Sequence, residues 1–212
     1  MTQAGLREAK REATAHALAR AAYELAREHG LDGFTIEDVA ARAGYSRRTF
    51  ANHFGGKEEA VVAVAAEQVR HALDTVPKVD DLPLVDWLHR VARQQLAGGL
   101  LVVLRDLRML ADSHPSLRPH LFEVQAEIRE TAREAVLSGL GERTSRTYAH
   151  LLVGAAYGAL TCVLDGSLPV RIDGFVTHTP AGDLEAIPSL DDFLKTTFSY
   201  LSTGFGRAPD DG

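Results

Sequence analysis

The chain has a single cysteine, Cys162, in 212 residues. An internal disulfide is excluded, which suits a reducing cytosol. Long apolar runs are missing too. No stretch of about 18 consecutive apolar residues occurs, so no membrane span is expected. The opening MTQAGLREAKREA is charged and has no apolar core segment, so no signal peptide is expected. Cytoplasmic placement is the expectation. Catalytic signatures are absent as well. There is no nucleophile elbow, no H-E-x-x-H, no phosphate-binding glycine loop and no dinucleotide fingerprint. Cys162 lies in an apolar segment, a poor setting for a reactive thiol. Neither an enzyme nor a cofactor is expected. Nine histidines are present, but His114 and His120 stand six apart with no thiolate cluster nearby, so no metal site is expected.

Residues 35–57, TIEDVAARAGYSRRTFANHFGGK, carry the most information. Thr35 and Asp38 form a capping box at a helix start. Ile36, Val39, Ala40 and Ala43 recur at helical spacing on one apolar face. Gly44 ends that helix, because glycine adopts the left-handed conformation without steric cost. Ser46 is an N-cap for a second helix, in which Phe50 and Phe54 share an inward face. Arg47, Arg48, Thr49, Asn52 and His53 then point outward. Two short helices joined by a glycine turn, the second polar on its outer face, make a helix-turn-helix.

Charge supports this locally. Between Val39 and Lys57 there are four cations (Arg42, Arg47, Arg48 and Lys57) and no acid. A phosphate backbone requires such a face. Residues 1–60 as a whole hold nine Lys/Arg and nine Asp/Glu, so the signal is a patch. The net charge of −6 therefore resides in the rest of the chain, which is a poor candidate for nucleic-acid binding.

The N-terminal quarter resembles the DNA-binding domain of the TetR family of bacterial transcription regulators. The resemblance rests on Leu18, Ala21, Ala22 and Leu25 before Gly30-Leu31, on Thr35 to Ala40, on Ala43-Gly44-Tyr45-Ser46, on Thr49 to Phe54, and on Lys57-Glu58. Ala51-Asn52 depart from the family, which carries bulkier, often aromatic residues there. The resemblance implies DNA contacts from Thr35, Tyr45, Ser46, Arg47, Arg48, Thr49, Asn52, His53 and Lys57. Lys57, unfavourable at a helix start on dipole grounds, makes sense if it and the helix N-terminus address a phosphate.

Beyond this region the pattern is all-α. Helices are expected over 6–29, over 57–73, after Pro83 to Gly98, over 100–112, up to Leu137, over 144–164 and from Ser189 to Gly204. Residues 77–83 read as a linker, 166–188 as a long loop, and GRAPDDG as a disordered tail. No strand is expected; Val170 to Thr177 is too broken. The helix over 144–164 is apolar almost all round and is expected to be buried on several sides. Arg105, Asp106 and Arg108 interrupt an apolar helix, as an internal ion-pair set or as part of a pocket.

The family architecture implies a helix-turn-helix domain at 1–56 and a ligand-binding and dimerisation domain at 57–212, about nine helices in total. It implies a homodimer, with Gly154 to Ala159 near the two-fold axis. It also implies a small-molecule inducer; the faces of Trp87, Leu104, Arg108, Val124, Ile128 and Tyr157 converge in that architecture, with Arg108 as the polar contact. The expected function is ligand-responsive repression from a palindromic double-stranded DNA operator. The alternative is a helix-turn-helix protein acting mainly through protein contacts.

Overall fold

The computed structural model describes residues 3–73, 84–95, 99–140, 145–172, 175–176 and 187–203. The linker at 77–83, most of the loop at 166–188 and the GRAPDDG tail fall outside them. Within them lie nine α-helices, α1 (Gln3–His29), α2 (Ile36–Ala43), α3 (Arg47–Ala51), α4 (Lys57–Leu73), α5 (Leu84–Gln95), α6 (Leu101–Ser113), α7 (Leu117–Leu140), α8 (Arg146–Leu164) and α9 (Leu190–Thr203), with a 3-10 turn at Leu31–Gly33. The all-α reading holds, with one local correction. Arg171–Ile172 (β1) pairs antiparallel with Phe175–Val176 (β2). The two strands flank Asp173-Gly174, a dipeptide that favours tight hairpin connections, and this signal went unread in the sequence.

The chain divides into two compact units, Met1–His71 with Leu100–Ile128, and Ala72–Gly99 with Arg129–Gly212. In the first, Leu18, Ala22 and Leu25 of α1 are buried together with Leu31, Val39, Phe50, Val61 and Ala65. The α1 stripe expected from its three- and four-residue spacing is this core. Leu101, Leu104 and Leu107 of α6 and Leu117, Val124 and Ile128 of α7 are buried in the same unit.

In the second unit, Trp87 of α5 is fully buried among Val136, Ala149, Val153, Leu194 and Phe198. Its α9 starts at a serine N-cap. The Asp192 amide donates to Ser189 Oγ at 3.2 Å, and that hydroxyl donates to Asp192 Oδ2 at 2.5 Å. The apolar α8 departs from expectation. Only Ala149, Val153 and Val163 are buried, while Leu151 is 70% exposed. Among the described residues, nothing covers the rest of this face.

Candidate nucleic-acid interface

Three small caps shape the region between Thr35 and Phe54. The Thr35 amide donates to Asp38 Oδ2 at 2.8 Å, and the Asp38 amide donates to Thr35 Oγ1 at 3.2 Å. The Thr35 hydroxyl also donates to Asp38 Oδ2 at 2.7 Å. This hydroxyl, and next the Thr35 amide, holds the Asp38 carboxyl below its ordinary range. At the other end of α2, Gly44 sits at φ 76°, ψ 27°. Its amide reaches the Ala41 carbonyl at 3.1 Å and the Tyr45 amide reaches that of Ala40 at 2.8 Å. That pair of bonds is a Schellman closure, which needs a residue at positive φ. Ser46 then accepts the Thr49 amide at 3.1 Å and begins α3.

Helix α3 is shorter than the sequence pattern suggests. It ends at Ala51, Asn52 caps it, and His53 and Phe54 follow in the turn beyond. Phe50 is buried. Phe54 still meets it, with ring centroids 5.7 Å apart, because its amide returns to the Phe50 carbonyl at 2.9 Å. The inward aromatic pair expected from the spacing thus forms, although only one member is helical.

Anchored by Phe50, the unit exposes Thr35, Tyr45, Ser46, Arg47, Arg48 and Asn52, with Thr49, His53 and Lys57 half-buried. All nine expected DNA contacts belong to this one unit. Their electrostatics differ from the simple count of four cations. Arg42 Nη1 is held by both Glu28 oxygens, at 2.8 and 2.7 Å. Arg47 Nη1 lies 2.7 Å from Glu37 Oε1. Both partner acids sit outside the acid-free window, which is why a local count missed them. Lys57 is also engaged: Nζ donates to the Leu31 carbonyl at 2.6 Å and to that of Phe34 at 3.2 Å, and lies 5.2 Å from the Phe34 ring centroid. Among the described residues, Arg48 is the arginine of α3 that makes no ion pair.

The expected inducer contacts divide between the units. Leu104, Val124 and Ile128 are buried and Arg108 is exposed in the first unit; Trp87 and Tyr157 belong to the second. Trp87 is core. Tyr157 is half-buried under the guanidinium of Arg129, 4.9 Å from the ring centroid, and burial raises its phenol above the usual range. Of the three charges interrupting α6, Asp106 pairs with Arg27 of α1 at 3.0 Å. Arg129 was not singled out from the sequence, since one arginine on a charged helix carries no local signal.

A capped helix, a Schellman turn and a short second helix with an exposed polar face define a helix-turn-helix DNA-binding protein. Residues 18–64 match the sequence profile of bacterial regulatory proteins, tetR family. Over this N-terminal domain the chain is similar to the TetR family of transcriptional regulators. The transcriptional repressor AcnR of Corynebacterium efficiens is 22% identical over 171 residues, covering 80% of this chain and 84% of that protein. The multidrug binding protein EbrR, crystallised with imidazole, aligns with a TM-score of 0.53 at 20% identity, over 88% of this chain and 93% of its own. A TetR-family regulator from Mesorhizobium loti aligns with a TM-score of 0.53 at 17% identity, over 96% and 98%. At these identities the two structures establish likeness of fold.

Proposed function

We propose that the protein is a cytoplasmic repressor that binds a palindromic operator as a homodimer and is released by a small molecule. DNA recognition belongs to residues 1–56, with α3 as the reading helix. The observation that carries the proposal is the exposed row Tyr45, Ser46, Arg47, Arg48 and Asn52, held on a short helix whose inner side is pinned by Phe50. Helix N-termini of this kind place side chains on base edges in the major groove, where arginine pairs bidentately with guanine. Half-buried Lys57, Thr49 and His53, together with Thr35, fit contacts to the phosphates, which fix register without reading sequence.

Two features support the homodimer. The exposed face of α8 carries Leu151, Gly154, Ala155 and Gly158 at helical spacing. A Cβ added to Gly154 or Gly158 meets nothing within 4 Å among the described residues, which therefore give no packing reason for either glycine. An exposed, largely apolar helix face supports an interface there. α8 has the length and hydropathy of a membrane span, with a mean hydropathy of 1.4, but its glycines favour a protein partner.

Inducer binding is assigned to residues 57–212. The name of the EbrR neighbour, a multidrug binding protein, agrees with a small-molecule ligand. Polar contacts there fall to Arg129 and Tyr157 before Arg108, whose side chain is exposed. Release then follows if the inducer favours a conformation in which both α3 helices cannot engage together.

Selection of bound duplexes from a random DNA pool tests the reading. Enrichment of an inverted repeat supports it. A pool that stays random through successive rounds removes DNA reading and leaves the protein-contact alternative.

A further inference from the structure

Glu37 and Arg47 face each other across the two helices of the motif. Arg47 is the first residue of α3, and its Nη1 lies 2.7 Å from Glu37 Oε1 in the first turn of α2. Neither residue is committed elsewhere in the motif's caps. The α2 cap uses Thr35 and Asp38, and the α3 cap uses Ser46 and Thr49. Glu37 is thus not needed to start either helix.

A guanidinium has five N–H donors in a fixed fork. With Nη1 occupied by Glu37, the edge formed by Nε and Nη2 stays available. That edge matches the O6 and N7 acceptors of guanine. Both side chains are solvated, 71% and 55% exposed, so the pair adds little to folding. Its effect falls on binding. The carboxylate restricts the arginine to few orientations, and it cancels the charge that would otherwise draw Arg47 to any phosphate.

We propose that Glu37 is a positioning residue that sets the sequence specificity of Arg47, aiming its free edge at a base and suppressing non-specific attraction. This inference rests on the DNA-reading role of α3 argued above.

The test uses the full-length protein, the selected operator and a scrambled duplex of equal length. Glu37→Ala is expected to raise affinity for the scrambled duplex up to about eightfold per half-site near 0.1 M salt and to steepen its salt slope by about one unit per half-site. The ratio of operator to scrambled affinity is expected to fall about fivefold or more, the loss concentrating at one base position per half-site. Glu37→Gln keeps an acceptor for Nη1 but loses the charge. It should share the steeper slope while recovering part of the ratio. In an Arg47→Ala background, Glu37→Ala should leave the ratio unchanged. The proposal is overturned by an unchanged ratio in Glu37→Ala, or by an equal fall in the Arg47→Ala background, which would make Glu37 a general repulsive charge. If wild type itself shows no operator preference, the DNA-reading assignment fails with it, and that result is visible before any variant is made. Thermal melts of each variant identify any that fail to fold.

Discussion

The phenol of Tyr23 on α1 donates to Asp106 Oδ2 on α6 at 2.8 Å, and Arg27 Nε closes on the same oxygen at 3.0 Å. The first helix of the chain is thereby tied to a residue 83 positions further along it. Burial, and then the bond to Asp106, raise the Tyr23 phenol well above its ordinary range.

Removing that bond has a defined cost. Asp106→Ala leaves a buried hydroxyl without its acceptor and Arg27 without its partner, and is expected to lower stability by about 1–3 kcal/mol. Tyr23→Phe should cost less, about 1 kcal/mol, because Asp106 keeps Arg27. The pH dependence has a definite sign. A group whose folded pKa lies above its unfolded value stabilises fully below the unfolded value, near pH 10 for tyrosine, and loses that contribution as pH rises further. The stability difference between wild type and Tyr23→Phe should therefore hold below about pH 10 and narrow above it. Urea unfolding across that range measures it. A gap that widens with alkali would show that the phenol is not held in its protonated form.

Lys57 ties the turn at Leu31–Gly33 to the start of α4 through the carbonyls of Leu31 and Phe34. A charged donor on two carbonyls exceeds an ordinary hydrogen bond, although the side chain is only half-buried. Lys57→Ala is expected to lower stability by about 1–2 kcal/mol. If Lys57 also meets a phosphate, the variant should weaken binding to every sequence alike, with a salt slope reduced by about one unit. Chemical denaturation and a salt titration separate the roles. Full stability with a reduced slope would leave the phosphate contact alone.

The difference between these residues and the caps shows what a sequence can disclose. Thr35 with Asp38, Gly44, Ser46, and Ser189 with Asp192 act within three or four residues of themselves. Their chemistry is written locally, and the helix starts at Ile36, Arg47 and Leu190 follow from it. The outward row from Tyr45 to Arg48 was legible for the same reason, once Phe50 fixed the inner side. Tyr23 with Asp106, Lys57 with Leu31, and Arg42 with Glu28 join residues brought together only by packing, which no local spacing encodes. The exposure of α8 was hidden differently. Hydrophobicity all round a helix predicts burial, but not whether its own chain or another supplies the cover.

Arg47 and Arg48 should differ in their effects. Arg48 makes no ion pair among the described residues, so its charge is available to DNA at no cost in broken contacts. Each alanine variant should alter stability by no more than about 0.5 kcal/mol, since both side chains are exposed. The loss of a base contact costs roughly 1–3 kcal/mol in discrimination. Arg48→Ala is also expected to reduce the salt slope by about one unit per half-site, and Arg47→Ala by less, because Glu37 already offsets that charge. Equal slopes for the two variants would mean that the Glu37 pair opens on binding. Operator affinity unchanged in the double variant would remove α3 as the reading helix.

Gly158 separates a free helix face from a shared one. Glycine inside a helix is less stable than alanine by about 1 kcal/mol. A Cβ at Gly158 meets nothing within 4 Å among the described residues of its own chain. If that face is open to water, Gly158→Ala should therefore stabilise the protein by about 0.5–1 kcal/mol at every concentration. If a second copy packs there, the added methyl falls between two close backbones. The variant should then dissociate at higher concentration than wild type, and its melting temperature should depend more strongly on protein concentration. Gly158→Glu takes the same argument further. An unpaired carboxylate in an apolar contact costs several kcal/mol, enough to leave monomers or aggregates at micromolar concentration. Leu151→Glu, on the same exposed face, should do likewise without the question of backbone approach. Sedimentation equilibrium on the four proteins decides the matter. A dimer in wild type that weakens in all three variants assigns the interface to this face of α8. A wild-type monomer removes the homodimer, whereas a dimer indifferent to all three changes places the association elsewhere; either result leaves the two glycines unexplained by it.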